Sequence, residues 1–289
     1  MLRRNFVMAS LFSLSLTMVA CAQNAPSTSE DALVMGLIPA ENNEEVAAQF
    51  EGVRKDLEEQ LGQSIRVFQA TDYTGIIEAM GNGQVDFAWF GPVSGMLAYQ
   101  QHGAVPFAVG VSKETGESTY QSLILTRADS DIQSLADLEG KDVAFVDPAS
   151  TSGGLVPTFM VVNEIGKNPE EFFGRLVFAG THDASVMALI NESAEAAAVA
   201  DFLLEGMIDR GLVSRNDFRV IAESDPIAGP PLMYIDDLDE ELKANLTQAF
   251  LTLHERLGDD IGMGDYSKYE EASLDDYHII LEMMDMGLM

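Results

Sequence analysis

Cations are scarce in this chain of 289 residues: 16 lysines and arginines stand against 47 aspartates and glutamates, a formal net charge of −31. That excludes nucleic acid as a partner, because a phosphate backbone is held by cationic side chains. It also describes a surface that repels itself unless salt screens it. Cysteine is rarer still. With Cys21 alone, no disulfide can form within the chain, so an oxidising compartment adds nothing to its stability. Beyond residue 20 no apolar run is long enough to cross a bilayer. No repeat of fixed period occurs. No His/Cys/Asp cluster has metal-ligand spacing, and no G-x-S-x-G marks a nucleophile elbow. Neither a cofactor nor a catalytic group is expected.

What is present begins with a leader. Arg3 and Arg4 precede a mostly apolar stretch, Phe6 to Val19, too short for a membrane span. It ends in Met18-Val19-Ala20-Cys21, which resembles the lipobox of a bacterial lipoprotein. Residues 1–20 therefore read as a signal peptide, Cys21 as the lipidation site, and 21–31 as a polar, lipidated tether. The mature protein is expected to be a monomer in the periplasm or on the outer face of the cell membrane, held there by its lipid.

After the tether, short apolar runs alternate with amphipathic segments. Residues 33–38, 65–68, 85–90 and 105–111 read as strands. Between the first two, Val46, Phe50, Val53, Leu57 and Leu61 recur at helical spacing and Gly62 stops the helix. Residues 73–81 and 93–101 are shorter helices. A second series has strands at 120–126, 142–146, 175–178, 196–199 and 218–222, with helices at 135–140, 153–166, 183–190 and 202–210. Asp237-x-x-Glu240 has the form of a capping box opening a long helix through Leu257. The tail, 259–289, is expected to wrap over the first lobe. Such alternation predicts an α/β protein with largely parallel sheets. Two series predict two lobes, 32–115 plus 228–289 and 116–227. Segments 112–119 and 224–231 have the composition of links beside a hinge.

The strongest local signal is Asp147-Pro148-Ala149-Ser150-Thr151-Ser152-Gly153-Gly154, between a strand and a helix. Three hydroxyls stand beside glycines that let backbone N–H groups approach a ligand. The first amides of a helix lack intrahelical partners and sit at the positive end of its dipole, which suits an anion. The same residues also suit an ordinary N-cap. From Asp142 to Gly166 there is no Lys or Arg, so an anion here would be held by dipoles and hydroxyls. Gly180-Thr181-His182-Asp183 repeats the strand-to-helix setting. His182 is either a donor to an anion or part of a capping loop. Asp201 follows the strand 196–199, where open α/β sheets bind ligands, and serves either to accept a P–OH hydrogen or as an N-cap. Tyr73 and Trp89, at two further junctions, wall a pocket or simply fill the core.

Taken in order, Thr71-Asp72-Tyr73, Glu78-Ala79-Met80, Asp86-Phe87-Ala88-Trp89-Phe90-Gly91-Pro92, the Asp147–Gly153 run and Gly180-Thr181-His182-Asp183 resemble the phosphate/phosphite/phosphonate-binding family of ABC transporter solute-binding proteins. The resemblance covers about residues 33 to 256. It implies a type II periplasmic-binding-protein fold, two lobes hinged about an inter-lobe ligand cleft. It implies that Ser150, Thr151, Ser152 and His182 bind a small phosphorus oxyanion, a phosphonate or phosphite. Tyr73 would contact it from the other lobe and Asp201 would join them, with Tyr120 at the crossing. An ABC transporter permease is the implied partner. Phosphate as ligand, or coupling to a sensor, is the alternative within the family. An enzyme on the same fold, with Ser150, His182 and Asp201 as a triad, is the rival from another class. Gly95 stands where the family often carries an aromatic after Pro-x-Ser, a departure that bears on pocket size.

Overall fold

The computed structural model describes residues 32–258 and 261–288. The leader, Cys21 and the tether lie outside the described residues. The chain runs β1 (Leu33–Leu37), α1 (Asn43–Leu61), β2 (Ile65–Gln69), α2 (Tyr73–Gly81), β3 (Phe87–Trp89), α3 (Pro92–His102) and β4 (Ala104–Ser112). It continues through β5 (Thr119–Tyr120), β6 (Ser122–Arg127), β7 (Asp142–Phe145), α4 (Val156–Ile165), α5 (Pro169–Phe172), β8 (Arg175–Phe178), α6 (His182–Ile190), β9 (Ala196–Ala200), α7 (Asp201–Asp209) and β10 (Phe218–Glu223). It returns through β11 (Ile227–Ala228), β12 (Pro231–Ile235), α8 (Glu240–Leu251), α9 (Leu253–Leu257), β13 (Tyr266–Glu271) and α10 (His278–Asp285).

Two sheets organise these elements. One has six strands in the order β13-β4-β12-β3-β1-β2, the other five in the order β10-β6-β9-β7-β8. A two-stranded ribbon lies on the crossings, with Ile227 opposite Tyr120 and Ala228 opposite Thr119. The second sheet is covered on both faces, and β9 shows how. Ala196 and Ala198 pack with Phe145 and Val161, while Ala197 and Val199 pack with Val186, Leu189 and Met207. The alternation is that of a strand, and small side chains let helices approach from either side. In the first half Phe50, Val53 and Leu57 of α1 are buried in one cluster with Trp89, Phe87 and Phe250. Each such side chain contributes about 1.5–3 kcal/mol over leaving it in water.

Four sequence expectations are corrected. The sheets are mixed rather than largely parallel: β12 runs antiparallel to β3 and β4, and β13 antiparallel to β4. The first begins at Pro231, the last residue of a segment taken for a hinge link, and the second lies in the tail. Residues 120–126 do not form one strand. Gln121 belongs to neither ladder because its amide donates to Asp201 Oδ2 at 3.0 Å and its carbonyl accepts the Asp201 amide. The helix expected from Gly153 is preceded by a wide turn over Thr151–Leu155, in which the Leu155 amide reaches the Ser150 carbonyl at 3.1 Å. The long helix after Asp237 is capped instead by Asp239, which accepts the amides of Glu241 and Leu242, and it breaks at Thr252.

Candidate functional site

At the end of β7 the chain turns back on itself so tightly that only glycine fits. A Cβ on Gly153 would lie 2.2 Å from Val146 Cγ2, and one on Gly154 2.3 Å from the Asp147 carbonyl. These glycines serve the turn's packing against its own strand. Ser150 caps the turn, its Oγ accepting the Gly153 amide at 3.1 Å. Thr151 Oγ1 accepts the Val93 amide from the start of α3 at 2.8 Å. The Ser152 carbonyl accepts the Ser122 hydroxyl at 2.7 Å. Both hydroxyls that accept an amide keep their own hydrogen for another partner. The amides of Thr151 and Ser152 fall in the first turn, where the helix offers them no carbonyl.

These groups meet others at one small cavity of about 20 Å³, lined by Tyr73, Trp89, Tyr120, Ser150, Thr151, Ser152 and His182 together with Gly91, Ala200 and Phe202. That exceeds the roughly 10–15 Å³ needed by one small polar molecule such as water. Seven of the eight candidate contacts therefore share a cavity. Asp201 lines the adjoining cleft instead, its carboxylate taken by the amides of Gln121 and Phe202. Burial raises its pKa and the Gln121 amide opposes the rise.

His182 is buried, 3% exposed. Its Nδ1 accepts the Ala200 amide at 3.2 Å, which leaves the ring hydrogen on Nε2. Burial pushes its pKa down to about 3, with Asp183 acting against the shift. The ring is thus a neutral donor. Its backbone amide donates to the Ala40 carbonyl in the first half at 2.8 Å. Tyr73 and Tyr120 are pushed up well above the usual phenol range by burial, with the hydroxyls of Ser150, and of Ser152 and Thr151, opposing. Phe202 fixes the Tyr120 ring edge to face, centroids 5.4 Å apart. Trp89 Nε1 is buried without a hydrogen-bond partner among the described residues.

Five helices begin at this cavity. Tyr73 and His182 open α2 and α6, Gly91 and Ala200 are the residues before α3 and α7, and residues 150–152 open the turn into α4. Each helix start carries the equivalent of about half a positive charge. No Lys, Arg, Asp or Glu lines the cavity. The arrangement suits a small anion held by amides, hydroxyls and ring N–H groups.

Sequence reasoning missed the Val93 and Ala200 amides, which have no side-chain signature, although Gly91-Pro92 announced the start of α3. Gly95 does not open the pocket. A Cβ there would lie 2.7 Å from Met233 Sδ and 3.1 Å from Pro231 Cγ, so β12 fills the space an aromatic would need. A larger cleft of about 600 Å³ adjoins the cavity and contains Arg210 and Arg215. Both arginines are paired, Arg210 with Glu41 and Glu45, Arg215 with Glu205. Among the described residues no helix is long and apolar enough to cross a membrane, and no group of His, Cys, Asp and Glu is placed to hold a metal ion.

Two α/β halves, joined by paired crossing strands and closed over a buried cavity, define a periplasmic solute-binding protein. Comparison with known proteins narrows the class. Residues 35–277 match the family described as the periplasmic substrate-binding protein of an ABC phosphonate transporter. The chain is 36% identical over 238 residues to the phosphate-import protein PhnD of Mycolicibacterium smegmatis, covering 79% of this chain and 73% of that protein. It is 32% identical over 246 residues to the phosphonates-binding periplasmic protein of Escherichia coli, covering 84% and 71%. The crystal structure of a binding component of an ABC phosphonate transporter from Pseudomonas aeruginosa superposes with a TM-score of 0.81 at 27% identity, covering 88% of this chain and 85% of that one. The chain belongs to the phosphonate-binding family of ABC transporter periplasmic substrate-binding proteins. Proteins of this family hold a small ligand and present it to a membrane permease.

Proposed function

We propose that this chain captures a small phosphorus oxyanion, a phosphonate or phosphite, and delivers it to its permease. The observation that carries the reading is the convergence of five helix starts on a cavity without a single charged side chain. Thr151 and Ser152 supply amides, His182 its Nε2–H, and Ser150, Tyr73 and Tyr120 hydroxyls, with Trp89 as a further donor. Each hydrogen bond to a charged group is worth about 1.5–3 kcal/mol. Several of them support micromolar or tighter binding, about −8 kcal/mol. Asp201 acts one step away, holding the Gln121 crossing in place. The lobes are 32–115 plus 228–289 and 116–227, and the β5–β11 ribbon lies at their hinge. Relatives named for phosphate import and for phosphonates agree with this ligand class.

The mature protein is a monomer tethered through a lipid on Cys21. Mass spectrometry of the membrane fraction should find the acylated Cys21, and a Cys21→Ser variant should be released. Calorimetric titration with methylphosphonate, 2-aminoethylphosphonate, phosphite and phosphate tests the function. At least one should bind at micromolar concentration or below. Heat from none of the four overturns the reading.

A further inference from the structure

A ligand that keeps one acidic hydrogen needs an acceptor for it, and the carbonyls at the cavity's helix starts are already engaged. The Ala40 carbonyl takes the His182 amide, and the Gly91 carbonyl takes the Gly95 amide and the Ser94 hydroxyl. The carbonyls of Ser150, Thr151 and Ser152 take the Leu155 amide, the Val156 amide and the Ser122 hydroxyl. Ser150 Oγ and Thr151 Oγ1 each accept an amide, and His182 Nδ1 accepts another. Facing inward are N–H donors and neutral hydroxyls, with no carboxylate among them.

The carboxylates around the site are turned to other partners. Asp72 caps α2 through the Gly75 amide at 2.8 Å. Asp147 takes the Ala149 amide at 2.8 Å. Asp183 takes the Thr181 hydroxyl and the Asn42 side chain. Asp201 holds the amides of Gln121 and Phe202, and Glu41 is paired with Arg210. None of the five lines the cavity. The acid that the sequence offered as a reader of P–OH therefore does not reach it.

We infer that the cavity selects its ligand by charge state, taking the fully deprotonated dianion and rejecting the form that retains one acidic hydrogen. The inference rests on reading the cavity as a phosphorus-oxyanion site. A retained P–OH would find only neutral hydroxyls to take its hydrogen, each then lost as a donor to the anion, and it would halve the charge that the helix starts attract. Specificity then extends beyond shape. Among ligands of similar size, the one more fully ionised at the ambient pH is captured first, and acidification releases the ligand without any group in the cavity having to titrate.

The test is calorimetric titration of the intact protein with phosphite and with methylphosphonate from about pH 5 to pH 9. Methylphosphonate loses its second proton at higher pH than phosphite. Affinity for each should be flat above that ligand's second ionisation and should fall about tenfold per pH unit below it. The break should come at higher pH for methylphosphonate. A protein group titrating instead would put the break at one pH for both ligands. That result, or affinity independent of pH, overturns the inference and leaves the oxyanion reading standing. Failure of both ligands to bind at any pH overturns the two together.

Discussion

The Val93 amide donates to Thr151 Oγ1 at 2.8 Å, joining the first turn of α3 in one half to the wide turn before α4 in the other. Both groups are buried and they come from opposite halves, so separating the halves would break the bond. Replacing Thr151 by Val keeps the side chain's shape and leaves the Val93 amide without an acceptor. That costs about 1–3 kcal/mol, roughly five- to 150-fold in ligand affinity. Thr151→Ser should retain most of the binding. Calorimetry on both variants checks this, and equal losses for Val and Ser would contradict it.

A second bond between the halves is ionic. Arg210, just past the end of α7, pairs with Glu41, whose side chain is 1% exposed, and reaches Glu45 at 3.5 Å. Burial raises the Glu41 pKa while Arg210 opposes the shift. Because Arg210 is itself 29% exposed, the loss on Arg210→Gln should be moderate, about 1–2 kcal/mol. It should appear as faster release, roughly five- to 30-fold, in stopped-flow displacement. The double variant with Glu41→Gln should recover part of that loss, since no buried charge is then left unpaired.

His182 makes the protein sensitive to acid. Its pKa is near 3 in the folded chain, against about 6.5 for an exposed imidazole. Between those values the unfolded chain binds a proton that the folded chain does not, so stability falls as pH falls. The slope is about 1.4 kcal/mol per pH unit. The raised carboxylates Glu41, Asp86, Asp147 and Asp201 act in the opposite sense, their contribution being lost as pH rises. Comparing the protein with its His182→Gln variant isolates the imidazole. Urea unfolding at about pH 7 and pH 5 should show the variant losing less stability on acidification, by up to about one proton's worth. Identical losses would contradict a buried neutral histidine.

The net charge of −31 opposes the approach of an anion at long range. Salt should therefore speed association rather than slow it. Stopped-flow binding at two ionic strengths tests the sign. A rate that drops steeply with added salt would point to steering by a cationic patch.

Legibility in the sequence followed the range of the interactions involved. The Asp147–Gly154 run and Thr181-His182 were readable because a strand, a cap and a helix start are local events. The break at Gln121 was not, since it depends on a bond to a residue 80 positions away. The strand β12 hid directly behind a proline-rich link, and β13 in an acidic tail whose Tyr266 and Tyr269 find burial only against β4 and the residues around it. The setting of Asp201 was hidden for the same reason as the Gln121 break. The Val93 and Ala200 amides left no trace, because a backbone group takes its importance from where the fold delivers it.

The most direct test of the account is a crystal structure grown with whichever phosphorus anion binds most tightly. Neutral donors should hold it: the phosphorus group should sit at the start of α4, its oxygens within hydrogen-bonding distance of the Thr151 and Ser152 amides and His182 Nε2. An anion found instead in the larger cleft against Arg210 or Arg215 would show that formal charge, not converging helix starts, does the binding.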